Sequence, residues 1–381
     1  MPTAVTFVPL WDRADEWAHR LRHIRDARRF LYLSAFYLEF DRYGQDMLNA
    51  LLDAQRRGVA VQLILDAFGQ TLGGVLMTAA QRRALALHCE QLIRAGGVVT
   101  HYRPASLVQR LAGGGQHVKI QVSDTGEVLF GSSNITASSY EGWHEYSVAM
   151  TGPVARTLLD SLQHIGGIVD PAHLDALLPD DSRDDLAFDY WFCNPNLTQA
   201  WRGPFGWRGH NEVTQQVIGM VKSARHTLRI TSFYFKPTPS LLRAVAAAAR
   251  RGVRVEVFHS HRDALPTTDL AWIAAASTYT DLLDAGVQIY EHPTGEHSKL
   301  ILVDDEWVAF GSYNCEDAAH DRLAEAMLAS RDPRVVAPVR EIFRQLTDDP
   351  AQVHVTPELY RQWPRRLHAR VRILGRFKWW M

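Results

Sequence analysis

His117-Val-Lys119 and His297-Ser-Lys299 write one triplet twice, 180 residues apart, and the polar residues behind each copy repeat at the same spacing. Asp124 and Asp304 follow their lysines by five residues. Gly131-Ser-Ser-Asn134 and Gly311-Ser-Tyr-Asn314 start 14 residues after each histidine, and Glu145 and Glu325 fall 28 after it. A packing requirement is not expected to repeat five residue types in that order. The chain holds 36 arginines and five lysines, and two of the five lysines sit in these triplets. Lysine is a compact point charge where arginine is a planar fork, so an arginine-rich chain is expected to use lysine where one strong charge is needed.

These residue types have a defined chemistry. An imidazole titrates near neutral pH, so one histidine can be a neutral nucleophile or base while the other is a protonated acid. Each ring needs its second nitrogen held by a partner, and Glu145 and Glu325 are the best candidates for that task. Lys119, Lys299, Asn134 and Asn314 are placed to stabilise charge growing on a substrate oxygen. Asp124 and Asp304 come one strand-length beyond the lysines and read first as pins for a strand end or for the partner motif. Ser132 and Ser312 lie in the Gly-Ser-x-Asn turns and can donate to backbone or to substrate. His144, His292 and His320 read as surface or packed histidines.

The positioning elements repeat too. Phe30–Tyr37 and Thr227–Tyr234 read as buried strands, each followed by a helix closed by glycine (Gly58, Gly252) and a second strand, Val59–Leu65 or Val253–Val257. That order is a β-α-β signature. A further helix leads to Ala95–Tyr102 or Ala285–Tyr290, and then to the strand that carries the triplet. Alternation puts its histidine and lysine on one face. The next short strand, Val128–Phe130 or Val308–Phe310, delivers the Gly-Ser-x-Asn turn. The first half carries an insertion, 103–116, whose three consecutive glycines fit either a mobile loop over the site or a plain surface insertion. The expected domains are residues 1–170 and 210–346, joined by an aperiodic connector at 171–209 with aromatic packing from Trp191, Trp201 and Trp207. Residues 347–381 form a tail.

Composition narrows the class. With 46% hydrophobic and 22% charged residues in 381, the chain is a soluble globular type with room for a large core. A formal charge of −1 gives no global field for nucleic acid or membrane. Three widely spaced cysteines, Cys89, Cys193 and Cys315, fit neither a disulfide framework nor a CxxC metal site, which predicts a reducing, cytoplasmic location. The amino terminus does not read as a signal peptide and no stretch is apolar enough to span a bilayer. No metal or cofactor motif appears.

HxKxxxxD followed by GSxN, twice over residues 25 to 345, resembles the phospholipase D superfamily. Gly152-Pro153 and Gly286-Val-Gln-Ile-Tyr290 make it most similar to bacterial cardiolipin synthases of the short, non-spanning type. The stretch Cys315-Glu-Asp-Ala-Ala-His-Asp-Arg-Leu-Ala-Glu325 departs from that pattern by its acidity. The resemblance implies an α/β fold: two pseudo-twofold-related α/β/α sandwich domains with mixed, mostly parallel sheets and one active site at their interface. It implies that one histidine, His117 by preference, attacks phosphorus while His297 protonates the leaving alcohol, without a cofactor. It further implies a phosphatidyl transferase using phosphatidylglycerol, the alternative being a hydrolase or nuclease that passes the phosphoryl group to water.

From Leu359 to Met381 there are seven basic residues, no acidic one, and Trp363, Phe377, Trp379 and Trp380 between them. Such a segment suits peripheral contact with the inner face of the cell membrane, each charge adding up to about 1 kcal/mol near an anionic leaflet, or else a tail that folds back on the body or stays disordered. A nucleic-acid backbone is the second partner this composition allows.

Overall fold

The computed structural model describes residues 1–177, 185–197, 209–265 and 267–380; the side chains of Trp379 and Trp380, and the whole of Trp201 and Trp207, lie outside what is described. The elements that position the site, in chain order, are as follows. The first half contains β1 (Thr6–Leu10), α1 (Arg13–Asp26), β2 (Phe30–Ala35), α2 (Arg42–Arg56), β3 (Ala60–Asp66), α3 (Ala67–Leu76), α4 (Ala79–Arg94), β4 (Val98–Tyr102), α5 (Leu107–Leu111), β5 (Gly115–Gln116), β6 (Ile120–Ser123), β7 (Glu127–Gly131), β8 (Ser147–Thr151) and α6 (Pro153–Ser161). Then come β9 (Asp189–Cys193), α7 (Glu212–Ser223), β10 (Thr227–Ser232), α8 (Pro239–Arg250), β11 (Arg254–Ser260), α9 (Leu270–Ala276), β12 (Gln288–His292), β13 (Leu300–Val303), β14 (Trp307–Gly311), α10 (Asp317–Asp321), β15 (Leu323–Ser330), α11 (Pro333–Asp348), β16 (Val353–Val355) and α12 (Arg365–Leu374).

The first sheet runs β1-β8-β7-β6-β2-β3-β4, and the second runs β9-β15-β14-β13-β10-β11-β12-β16. Both are mixed, as expected, but antiparallel pairing predominates. Only β2 with β3, β3 with β4, β10 with β11 and β11 with β12 are parallel within these two paths. The reason is local. After the β-α-β units the chain folds as a meander, in which the triplet strand turns back tightly on the Gly-Ser-x-Asn strand and that one returns through a longer loop on the glutamate strand, and such direct returns without a crossover pair neighbours antiparallel.

Helices cover both faces of each sheet. One face of the first sheet buries Leu31, Leu33, Val61 and Leu63 with Met47, Leu51 and Leu92 of α2 and α4. Its other face packs Ile120, Val122, Val128 and Phe130, together with α6, against Leu300, Leu302, Val308 and Phe310 of the second sheet. The equivalent rings of Phe130 and Phe310 stand 6.3 Å apart across this shared core, as a pseudo-twofold relation demands.

Two segments are more ordered than their composition suggested. Within the connector, β9 pairs with β15 and makes an edge of the second sheet, and buried Trp191 packs on Trp307. In the tail, β16 pairs with β12, and Trp363 packs on Trp272 and Tyr279. Arg370 forms a bidentate pair with Asp269, Arg361 pairs with Glu358, and Lys378 lies 3.5 Å from Asp317. The tail's aromatics therefore serve packing as well as composition, because an apolar ring beside a bare helix is buried wherever the chain can return to it.

Candidate active site

The insertion at 103–116 is a strap, not a free loop. Its end, β5, adds a parallel strand to β15 of the other half. Gly115 N–H donates to Arg322 O at 3.0 Å and His117 N–H to Ala324 O at 2.8 Å. Glycine is required here by close approach: a Cβ on Gly115 would lie 2.6 Å from an Asp66 carboxylate oxygen. Asp66 in turn caps α3 through Gly69 N–H and accepts from Gln116 N–H at 2.8 Å. The end of the insertion thus forms an inter-domain contact, which neither a mobile loop nor a plain surface insertion anticipated. A matching backbone bridge forms on the other side, where His144 N–H donates to Gly295 O at 3.0 Å and His297 N–H to His144 O at 2.8 Å.

These two bridges bring the repeated residues together, and they cross them. His117 Nδ1 lies 3.1 Å from Glu325 of the second half, and His297 Nδ1 lies 2.8 Å from Glu145 of the first. Each glutamate is held by the serine of its own Gly-Ser-x-Asn turn: Ser132 donates to Glu145 and Ser312 to Glu325. Both hydroxyls also accept a backbone N–H, from Tyr146 at 2.9 Å and Ala326 at 3.0 Å. Ser139 adds a second donor to Glu145 at 2.8 Å. His117 Nδ1 additionally faces the Ser312 carbonyl at 3.0 Å. Since every partner of the two Nδ1 atoms is an acceptor, both carry a hydrogen, and each neutral ring presents its lone pair on Nε2.

Lys119 and Lys299 are 1% exposed, and each donates to the carbonyl oxygen of its own histidine. Burial lowers both lysines, Lys119 well below its usual value and further through the Lys299 charge, and Lys299 to about 8. An anion between them would relieve both. Asn134 is buried with neither its amide nitrogen nor its oxygen hydrogen-bonded, the condition of a group that awaits a ligand. Asn314 is engaged, donating to Glu316 at 3.3 Å. The acidic stretch after it is neutralised in part, since Glu316 pairs with Lys236 at 2.9 Å.

The two His–Glu pairs differ electrically. Burial, then the charges of Lys119, Lys299 and His297, pushes the His117 imidazole well below its usual value. Burial also pushes the Glu325 carboxyl well above the carboxylate range, against the pull of Lys119 and Ser312. Both shifts favour a neutral pair. Burial would likewise raise Glu145, but His297, Lys299 and Ser132 outweigh it and bring it down to about 2. Burial lowers His297 to about 4 even though Glu145 opposes this.

Asp124 and Asp304 stand outside this site. Asp124 accepts from the backbone of Arg28 and Phe30. Asp304, at φ 53°, accepts from Arg225, His226 and Thr227. They pin the turns that lead into β2 and β10, so they repeat because the fold repeats. Phe36, Phe233 and Trp143 went unread as site residues. Phe36 meets His117 edge-on at 4.8 Å and Phe233 meets His297 at 4.8 Å, while Trp143 stacks on His297 at 4.9 Å. The signal for the first two was present, as Phe36-Tyr37 and Phe233-Tyr234 directly follow the equivalent strands β2 and β10.

Two sheets related by a pseudo-twofold axis, with a doubled HxK site between them, define a phospholipase D-like protein. The family model described as "Cardiolipin synthase, PLD-like domain" matches residues 21–165 and 217–347, and the chain belongs to that family. It is 25% identical over 323 residues to a cardiolipin synthase of Halalkalibacterium halodurans, covering 81% of this chain and 59% of that protein. It is 26% identical over 335 residues to cardiolipin synthase B of Salmonella typhimurium, covering 81% of this chain and 72% of that protein. The chain thus spans about three fifths to three quarters of these relatives. In fold it is similar to phosphatidylserine synthase of Haemophilus influenzae Rd KW20, with a TM-score of 0.74 over 100% of this chain and 97% of that one at 16% identity.

Proposed function

We propose that the chain is a phosphatidyl transferase that makes cardiolipin, or a closely related phospholipid, from phosphatidylglycerol through a phosphohistidine. The crossed His–Glu pairs carry this reading, since they supply a nucleophile from one half and an acid from the other around two buried lysines. His117 Nε2 attacks phosphorus while His297, entering the step as the imidazolium that Glu145 and the bound phosphodiester anion stabilise, gives its Nε2 proton to the departing glycerol oxygen, and the phosphorus–oxygen bond breaks as the phosphorus–nitrogen bond forms. The pair that is neutral suits the nucleophile. The histidine backed by an ionised Glu145 suits the acid, because that charge stabilises an imidazolium. A second phosphatidylglycerol then loses a hydroxyl proton to His297, attacks phosphorus and releases His117. Lys119, Lys299, Asn134 and Asn314 hold the non-bridging oxygens through both steps.

The surface beside the site favours a lipid donor over a polynucleotide. The helix α3 has no charged residue and exposes Phe68, Leu72, Val75 and Leu76, which fall on one helical face. Its adjoining face sets Gly69 against Phe36 and Gly73 against Tyr37, so the helix that carries the apolar stripe packs on the ring that contacts His117. Nearby α5 exposes Leu107, Val108 and Leu111. The exposed Arg365, Arg366, Arg372 and Arg376 of the tail, beside exposed Phe377, offer an anionic leaflet further contacts. Among the described residues no helix is long and apolar enough to cross a membrane. A peripheral place on the cytoplasmic face fits both features.

The test is incubation of the purified chain with phosphatidylglycerol vesicles, reading products by mass spectrometry beside His117→Ala. Cardiolipin that vanishes in the variant is the expected result. Phosphatidic acid instead would make the chain a hydrolase, and absence of lipid turnover would redirect the reading to other phosphodiesters.

A further inference from the structure

A second cluster of chemistry-bearing side chains sits at the same domain interface, behind the catalytic pairs. His144 lies between β7 and β8 of the first half, in the residue before Glu145. His292 ends β12, and Asp349 follows α11, both in the second half. One ligand atom from each lies within 4.8 Å of the others. The two imidazole centroids are 4.3 Å apart, and His292 Nε2 is 3.1 Å from Asp349 Oδ2.

What separates this cluster from an ordinary polar contact is the group that stands behind each imidazole, Glu296 and Thr294. His144 Nδ1 is 3.2 Å from Glu296 Oε2, whose carboxylate is fully buried and also accepts from Ser298. An acceptor there places the hydrogen on Nδ1 and leaves Nε2 with its lone pair. His292 Nδ1 is 2.9 Å from Thr294 Oγ1, which donates to it while Asp349 accepts from Nε2–H; an ion replacing that Nε2 hydrogen would move the hydrogen to Nδ1, where the Thr294 hydroxyl can turn to accept it. Imidazoles that bind metals are oriented in this manner, one nitrogen held by a carboxylate or hydroxyl and the other offered to the ion.

We infer that His144, His292 and Asp349 form a binding site for a divalent transition ion of the zinc type. Two imidazole nitrogens and one carboxylate oxygen, with water completing a tetrahedron, are the donor set of borderline-soft ions; magnesium and calcium prefer all-oxygen shells. Side-chain exposures of 29% at His144 and 25% at Asp349 give an ion a path in. The site's place gives it a role. His144 makes the backbone bridge to Gly295 and His297, so an ion joining it to His292 and Asp349 would clamp the halves where Glu145 meets His297. The ion touches no reacting atom and acts by positioning that pair.

The experiment uses the untagged full chain, stripped with chelator and titrated with zinc chloride in a calorimeter, then with cobalt(II) for its visible absorption. One ion per chain with tetrahedral cobalt bands is expected, with a raised Tm. Asp349→Asn, an isosteric change at a partly exposed position beyond a helix end, should weaken binding by at least about tenfold while leaving the far-ultraviolet circular dichroism unchanged. His292→Ala should abolish it, and His117→Ala should leave it unchanged, so the outcome is independent of whether the chain turns over phosphatidylglycerol. Absence of stoichiometric binding at micromolar zinc, or affinity unaltered in both Asp349→Asn and His292→Ala, would overturn the assignment.

Discussion

Exchanging each glutamate for glutamine separates the two histidines, because the pairs are crossed and electrically unlike. At Glu325 the carboxyl is pushed toward its neutral form, and His117 keeps a second acceptor, the Ser312 carbonyl at 3.0 Å. Glu325→Gln therefore removes little charge and leaves the tautomer fixed. The loss is that of one neutral hydrogen bond, about 0.5–1.5 kcal/mol, or roughly 2- to 10-fold in turnover. At Glu145 the carboxyl is ionised, with a pKa of about 2, and is the acceptor that fixes His297 Nδ1–H at 2.8 Å. Glu145→Gln takes away both the charge and the tautomer, a change that costs about 10⁴ in a Ser-His-Asp triad. The assay is the first turnover on a p-nitrophenyl phosphodiester, read as a burst of nitrophenolate, beside turnover of phosphatidylglycerol. Nitrophenolate leaves without a proton, so the Glu145→Gln defect should largely disappear from the burst while that of Glu325→Gln persists. Equal losses in the two variants would refute the electrical asymmetry, and relief of Glu325→Gln in place of Glu145→Gln would exchange the roles of the histidines.

Other perturbations reach the scaffold and the surface. Asp304→Asn keeps a residue that tolerates φ 53° but weakens three backbone hydrogen bonds; urea unfolding should show a loss of about 1–2 kcal/mol, with turnover per folded molecule unchanged. His23 is buried and satisfied as a neutral ring by Gln121 and Ser123, and burial lowers it from 6.5 to about 4. The unfolded chain thus takes up a proton that the folded one refuses, and stability on the order of 3 kcal/mol should be lost as pH falls from 6.5 toward 4. His23→Gln should flatten that part of the acid-unfolding curve. A charge at Leu72 or Val75 removes about 1.5–3 kcal/mol of apolar contact with a bilayer. Leu72→Asp should accordingly weaken sedimentation with anionic vesicles by roughly 10-fold or more, yet retain activity on a monomeric short-chain phosphatidylglycerol.

The β-α-β order, the triplet strands and the division into two halves were legible because each has a local cause: a hydrophobic period, a glycine stop or a repeated motif. The Asp66–Gly115 contact was not. It joins residues 49 apart in sequence, and three glycines look the same whether they permit motion or close approach. The tail shows the same ambiguity. A tryptophan among arginines suits a bilayer interface, but Trp363 found an apolar surface nearer at hand in Trp272.

Repetition itself proved double-edged. Asp124 and Asp304 recur as faithfully as the histidines, because a duplicated fold must duplicate its turn pins along with its chemistry. What tells the two apart is cost. A carboxylate receiving backbone N–H groups at a partly exposed turn is an inexpensive fixture, whereas two lysines at 1% exposure are costly unless an anion repays their desolvation. The offset of 28 residues from histidine to glutamate is also identical in both halves, so no spacing could say that Glu145 serves His297. That choice is made by the two backbone bridges, β5 on β15 and His144 on Gly295, which exist only when both halves are present. Neither half alone then contains a working histidine, and an isolated domain of this chain should be inactive until a second copy supplies the missing carboxylate.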